Sequence, residues 1–172
     1  MVIPLMKQAA DEPGMDEHAT LRCSAVWDEG AARAADARQS LRAFLAYARH
    51  TGRHRVPAPR ARDAELTVSE LVTNAVRHAP GPCGLIVQLS GEELTITVWD
   101  TSTEAPTVRE DDRRRVGGHG LRLVHAVSDE VVVALHTRGK QITACLRKAP
   151  HGVTAPARRS VLPASISGRT PR

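Results

Sequence analysis

The chain predicts an α+β fold, a two-layer sandwich whose mostly antiparallel sheet carries helices on one face. Three observations lead there. Strand-like alternation and helical period succeed one another in the order β, α, α, β, β, long connection, α, β, β. Two pairs of strand segments are joined by turns too short for a crossover, so each pair runs antiparallel. The strands alternate apolar with polar residues, the pattern of a sheet buried on one face.

Each element has its own signature. Residues 1–17 read as a disordered leader, with an apolar run too short for a signal peptide and acidic residues after it. In "ATLRCSAVW", residues 19–27, Leu21, Cys23, Ala25 and Trp27 fall on one side of a strand. Residues 30–50 switch to helical period, with Ala34, Ala37, Leu41, Phe44, Leu45 and Ala48 as the buried stripe. "HTGRHRVPAPR" is a loop, and Pro57 and Pro59 mark the start of a second helix. That helix carries Val68, Leu71, Val72, Ala75, Val76 and Ala79 in one stripe, runs to about His78 and is stopped by Pro80.

"GLIVQLS" and "ELTITVWD" form a hairpin turning at Gly91 and Glu92. Residues 101–120 make a long polar connection, a length usual for functional lids or disordered segments. A short helix, "LRLVHAVS", follows directly from Gly117, Gly118 and Gly120. "DEVVVALHT" and "KQITACLRK" close a domain of residues 18–148 as a second hairpin around Arg138 and Gly139. From Ala149 onward Pro, Ser, Arg and Gly dominate, which predicts a disordered basic tail.

Composition narrows the function classes. Aromatics are only 2% of the 172 residues, so aliphatic side chains and alanine must build the core. Cys23, Cys83 and Cys145 are odd in number and far apart, which suits neither a zinc site nor a disulfide framework. They read as buried thiols of a cytoplasmic protein. No segment is apolar for long enough to span a membrane as a helix. A net charge of +5 and an isoelectric point near 9.7 raise nucleic acid as a partner. The arginines are scattered, however, and no helix-turn-helix, zinc-finger or aromatic stacking motif accompanies them, so direct sequence-specific nucleic-acid binding is not expected.

Three polar features stand out. Glu70 and Asn74 lie four apart on one helix face, and a mid-helix asparagine costs roughly half a kcal/mol relative to alanine. Asp100 shares a strand face with Leu94, Ile96 and Val98, so a carboxylate points the same way as core residues. The "GGHG" run before a helix offers free backbone N–H groups and a positive dipole end to an anion. Each also has a plain reading: a solvated helix face, a turn-forming aspartate, a flexible linker. His50, His54 and His78 form no ligand set on one face. His78 and Arg77 suit a helix C-terminus, and "REDDRRR" at 109–115 reads as a solvated lid.

Taken together and in this order, "ELVTNAVRHA … VWDTS … GGHGLRLVHAVSD … GK" resembles the ATP-binding regulatory proteins of the anti-sigma-factor kinase family. These belong, with type II topoisomerases and sensor histidine kinases, to the superfamily built on the Bergerat ATP-binding fold. The resemblance covers about residues 18–147. It implies that Asn74 holds Mg²⁺ and that Glu70 acts as base or orients the nucleophile, a hydroxyl of an antagonist protein. It implies further that Asp100 accepts a hydrogen bond from the adenine amino group. Backbone N–H groups at Gly118, His119, Gly120 and Leu121 would bind ATP phosphates.

The implied partners are a sigma factor or similar regulator and an anti-anti-sigma antagonist protein. Homodimerisation is left open. Three positions depart from the family: Ser102 stands where glycine is usual, Gln141 follows Lys140 where many relatives of the superfamily have threonine, and His119 holds a lid-end position where many relatives have arginine or another residue. The alternatives are a non-catalytic module that uses ATP to choose partners, and a basic nucleic-acid binder without nucleotide. A sensor histidine kinase would need a phosphoacceptor histidine in a preceding helical hairpin, and only one sizeable helix precedes Glu70.

Overall fold

The computed structural model describes residues 20–52, 55–79, 81–106 and 120–148. The expected leader and tail, Gly117, Gly118, His119 and the charged run at 109–115 lie outside the described residues. The elements follow the predicted order: β1 (Leu21–Trp27), α1 (Ala34–His50), α2 (Ala58–His78), β2 (Cys83–Leu89), β3 (Glu93–Asp100), α3 (Gly120–Val127), β4 (Glu130–His136) and β5 (Gly139–Arg147).

Local chemistry explains the boundaries of α2. Pro57 precedes the helix in extended conformation and Pro59 occupies its first turn, where a missing N–H costs no hydrogen bond. At the other end Ala79 is extended, as the residue before a proline prefers to be. α1 lacks a side-chain N-cap but has Asp36 in its first turn, against the positive end of the helix.

The five strands form one antiparallel sheet in the order β1-β2-β3-β5-β4. β5 turns back from the edge strand β4 and inserts beside β3, which sets Asp100 directly opposite Lys140. Opposed residues point to the same side, so the register defines two faces. On the buried face, Cys23, Ala25, Leu85, Val87, Ile96 and Ala144 meet Leu41 and Phe44 of α1 and Val68, Leu71 and Val72 of α2. The other face carries Trp99 beside Gly84, and a hydrogen bond of 3.0 Å joins the hydroxyls of Thr97 and Thr143.

Polar contacts fix the two long helices to each other. Arg42 grips Glu65 with both ends of its guanidinium, at 2.9 and 2.6 Å, and Arg38 donates to the Ser69 hydroxyl at 2.9 Å. The Arg42 hydrogen bond holds the Glu65 carboxyl below its ordinary pKa.

Two expectations about the core need correction. Val76 is 46% exposed, because at 100° per residue it falls beyond the edge of the α2 stripe. Thr67 is buried in its place, three residues after Ala64 and four before Leu71. Cys23 and Cys83 are buried, and burial pushes both thiols up in pKa; Cys145 is only half-buried and lies on the outer face opposite Thr95. Among the described residues no helix is long and apolar enough to cross a membrane.

Candidate functional site

The apolar stripe of α2 fixes how that helix sits, and thereby where its remaining faces point. Glu70 and Asn74 are half-buried on one such face. Neither side chain has a hydrogen-bond or ion-pair partner among the described residues. Glu70 reaches the first residue of α3: a side chain at Gly120 would run into its carboxylate oxygen Oε2. Glycine at 120 is therefore what allows the carboxylate to lie against the start of that helix. Asn74 stands one helical turn further along.

α3 is held so that this meeting occurs. Val124 is fully buried and Leu121 packs partly against the core. At the far end of α3, Arg60 of α2 donates to the Val127 carbonyl at 3.2 Å and pairs with Asp129 at 3.2 Å. A cation there also suits the negative end of the helix dipole. Asp129 in turn accepts the Arg147 backbone N–H at 2.8 Å, which ties the same corner to β5. Thr67, three residues before Glu70 on α2, is buried with its hydroxyl unpartnered among the described residues.

Asp100 ends β3 on the buried face, as its alternation predicts. Its Oδ1 accepts the Ser102 backbone N–H at 2.9 Å, a turn in which aspartate bonds the chain two residues on. The plain turn reading and the core-facing reading of Asp100 thus hold together. The same oxygen accepts from Lys140 Nζ at 2.9 Å, in a pair whose side chains are 3% and 2% exposed. Gly139 sits so close to Asp100 that a Cβ would overlap the Asp100 carbonyl, so glycine is needed there for β5 to pair at this register. The Asp100 charge adds to burial in raising the neighbouring Cys83 thiol.

The sequence reading missed Lys140. The signal was present: by alternation Lys140 shares a face with Ile142, Ala144 and Leu146. Gln141, singled out instead, lies opposite Trp99 on the outer face, so its side chain does not join Asp100. The position of β5 that faces Asp100 is a lysine.

The model of one domain family, the histidine kinase-like ATPase domain, matches residues 30–146. The chain belongs to that family. Among solved structures it is similar to the histidine kinase domain from the Erythrobacter litoralis EL346 blue-light activated histidine kinase, at 24% identity and a TM-score of 0.42. That match covers 70% of this chain and 66% of the other. No curated protein matches.

The protein is thus a histidine kinase-like ATPase domain, a kinase- or ATPase-type ATP-binding unit. Its residues fit such a ligand. Asn74 offers a hard amide oxygen of the kind Mg²⁺ takes, with no competing partner among the described residues. Asp100 keeps its second oxygen, Oδ2, without a partner among the described residues. Gly120 and Leu121 open α3, where backbone N–H groups lack intrahelical partners. Gly118 and His119, expected to share that task, lie outside the described residues.

Proposed function

We propose that this histidine kinase-like ATPase domain binds Mg·ATP and transfers the γ-phosphoryl group to a serine or threonine hydroxyl of an antagonist protein. In this reading it is a regulator of the anti-sigma type, which controls transcription by sequestering a sigma factor or similar partner. The observation that carries the reading is the Glu70 carboxylate lying against Gly120 at the start of α3. A helix start is where phosphate oxygens are bound, so the carboxylate waits beside the reacting group.

Each residue then has one task. Glu70 accepts the hydroxyl proton or orients the hydroxyl for attack. Backbone N–H groups at Gly120 and Leu121 bind phosphate oxygens, and Asp100 accepts from the adenine amino group through Oδ2. Asn74 holds Mg²⁺, which when bound offsets the phosphate charge. Positioning and charge neutralisation are most of what phosphoryl transfer asks of a protein.

Calorimetric titration of Mg·ATP into wild type, Asn74→Ala and Asp100→Ala tests the site. Affinity should fall in both variants, and unchanged affinity in both would overturn the assignment. For the chemistry, Glu70→Ala should keep ATP binding and lose transfer to the antagonist protein. Absence of transfer by the wild-type chain to any candidate antagonist would favour the non-catalytic module instead.

A further inference from the structure

We propose that Lys140 reads the nucleotide base together with Asp100, donating a hydrogen bond to the ring nitrogen next to the amino group that Asp100 accepts. The inference rests on the ATP-binding reading and assigns the base contacts within it.

The argument starts from unused hydrogen-bonding capacity. An ammonium carries three N–H donors. Lys140 spends one on Asp100 Oδ1 at 2.9 Å, and no other acceptor meets it among the described residues. Its side chain is 2% exposed, so bulk solvent meets little of it. A buried polar group short of partners is destabilising, more so when charged. Asp100 shows the converse: both of its hydrogen bonds fall on Oδ1, which leaves Oδ2 without a partner among the described residues, beside the unused donors.

The placement is rigid. Lys140 and Asp100 are directly opposed in the β3–β5 ladder, and the near contact of Gly139 with the Asp100 carbonyl fixes the backbone on both sides. An acceptor and a donor held side by side complement a ligand edge that presents a donor and an acceptor side by side. Adenine has such an edge in its 6-amino group and N1. Asp100 alone would read only the amino group; the lysine adds the ring nitrogen and holds the carboxylate in place through their hydrogen bond.

The test removes one atom from the ligand and one from the protein. Affinities of ATP, of its 1-deaza analogue (N1 replaced by C–H) and of its 7-deaza analogue are measured by calorimetry for wild type, Lys140→Met and Lys140→Arg. Wild type should bind 1-deaza-ATP about tenfold to a hundredfold more weakly than ATP, the range for a lost hydrogen bond to a charged donor. It should bind 7-deaza-ATP like ATP. Lys140→Met should bind ATP and 1-deaza-ATP equally, and Lys140→Arg should restore part of the preference.

Equal affinity of wild type for ATP and 1-deaza-ATP overturns the proposal, and that comparison needs no variant to fold. So does a Lys140→Met variant that weakens both ligands by the same factor, which would make the lysine a purely structural partner of Asp100. Selective weakening by 7-deaza-ATP would move the contact away from N1 and overturn it too. If wild type binds no ATP at all, the ATP-binding reading fails and this proposal with it; ATP binding without N1 discrimination sinks only the proposal.

Discussion

The two halves of α2 are built alike in apolar content but differ in what their polar residues do. In the first half, Arg60 bonds the end of α3 and Asp129, Glu65 bonds Arg42, and Ser69 accepts from Arg38. In the second half, Glu70 and Asn74 have no such partner among the described residues. Arg60, Glu65 and Ser69 join helices, whereas Glu70 and Asn74 make no such contact among the described residues. Half-buried, both side chains remain open to water or to a ligand that would take its place. The two sets differ in what faces each residue.

The contrast can be broken from either side. The largest expected effect is in the first half: Arg60→Met should lower unfolding free energy by about 1.5–3 kcal/mol, the range for lost hydrogen bonds to charged groups, as read by urea denaturation. Gly120→Ala acts at the second half and should slow phosphoryl transfer about tenfold or more by pushing the Glu70 carboxylate aside. Because that carboxylate is the free end of a flexible side chain, the midpoint of urea unfolding should move little. Loss of folding with no selective loss of transfer would break the assignment of Glu70.

Asn74→Ala should have a small effect of opposite sign on stability, a gain of about 0.5 kcal/mol from helix propensity, while Mg·ATP affinity falls. A loss of stability there would mean that the asparagine is structural after all. The smallest effect belongs to Glu65→Gln. The folded-state pKa of Glu65 is lowered by its hydrogen bond from Arg42, so its contribution is fully present above the ordinary glutamate value of about 4.3. It fades as pH falls through the lowered value. Wild type should therefore lose more stability than the variant between about pH 5 and pH 3 in acid titrations of unfolding. Parallel curves would show that the exposed pair contributes nothing measurable.

Much of the fold was legible because its signals are local. Alternation marked five strands, a 3.6-residue period marked two long helices, and prolines 57, 59 and 80 bracketed α2. The error at Val76 arose because periodicity locates the middle of a buried stripe better than its edge. Glu70, Asn74 and Asp100 were visible as polar residues in apolar company. Lys140 was visible by the same rule, yet a lysine at a strand end also suits a turn, and nothing local says what stands opposite.

The sequence alone determined the elements, the face each buries and the polar residues that break the pattern, since these follow from backbone period and side-chain chemistry within a few residues. Tertiary structure decided who meets whom. The β3–β5 register set a lysine against Asp100 rather than Gln141, and the anchoring of α3 by Val124 and Arg60 brought Gly120 to Glu70. Those meetings join residues about 40 and 50 positions apart, a separation at which pairing depends on how strands and helices pack as whole bodies.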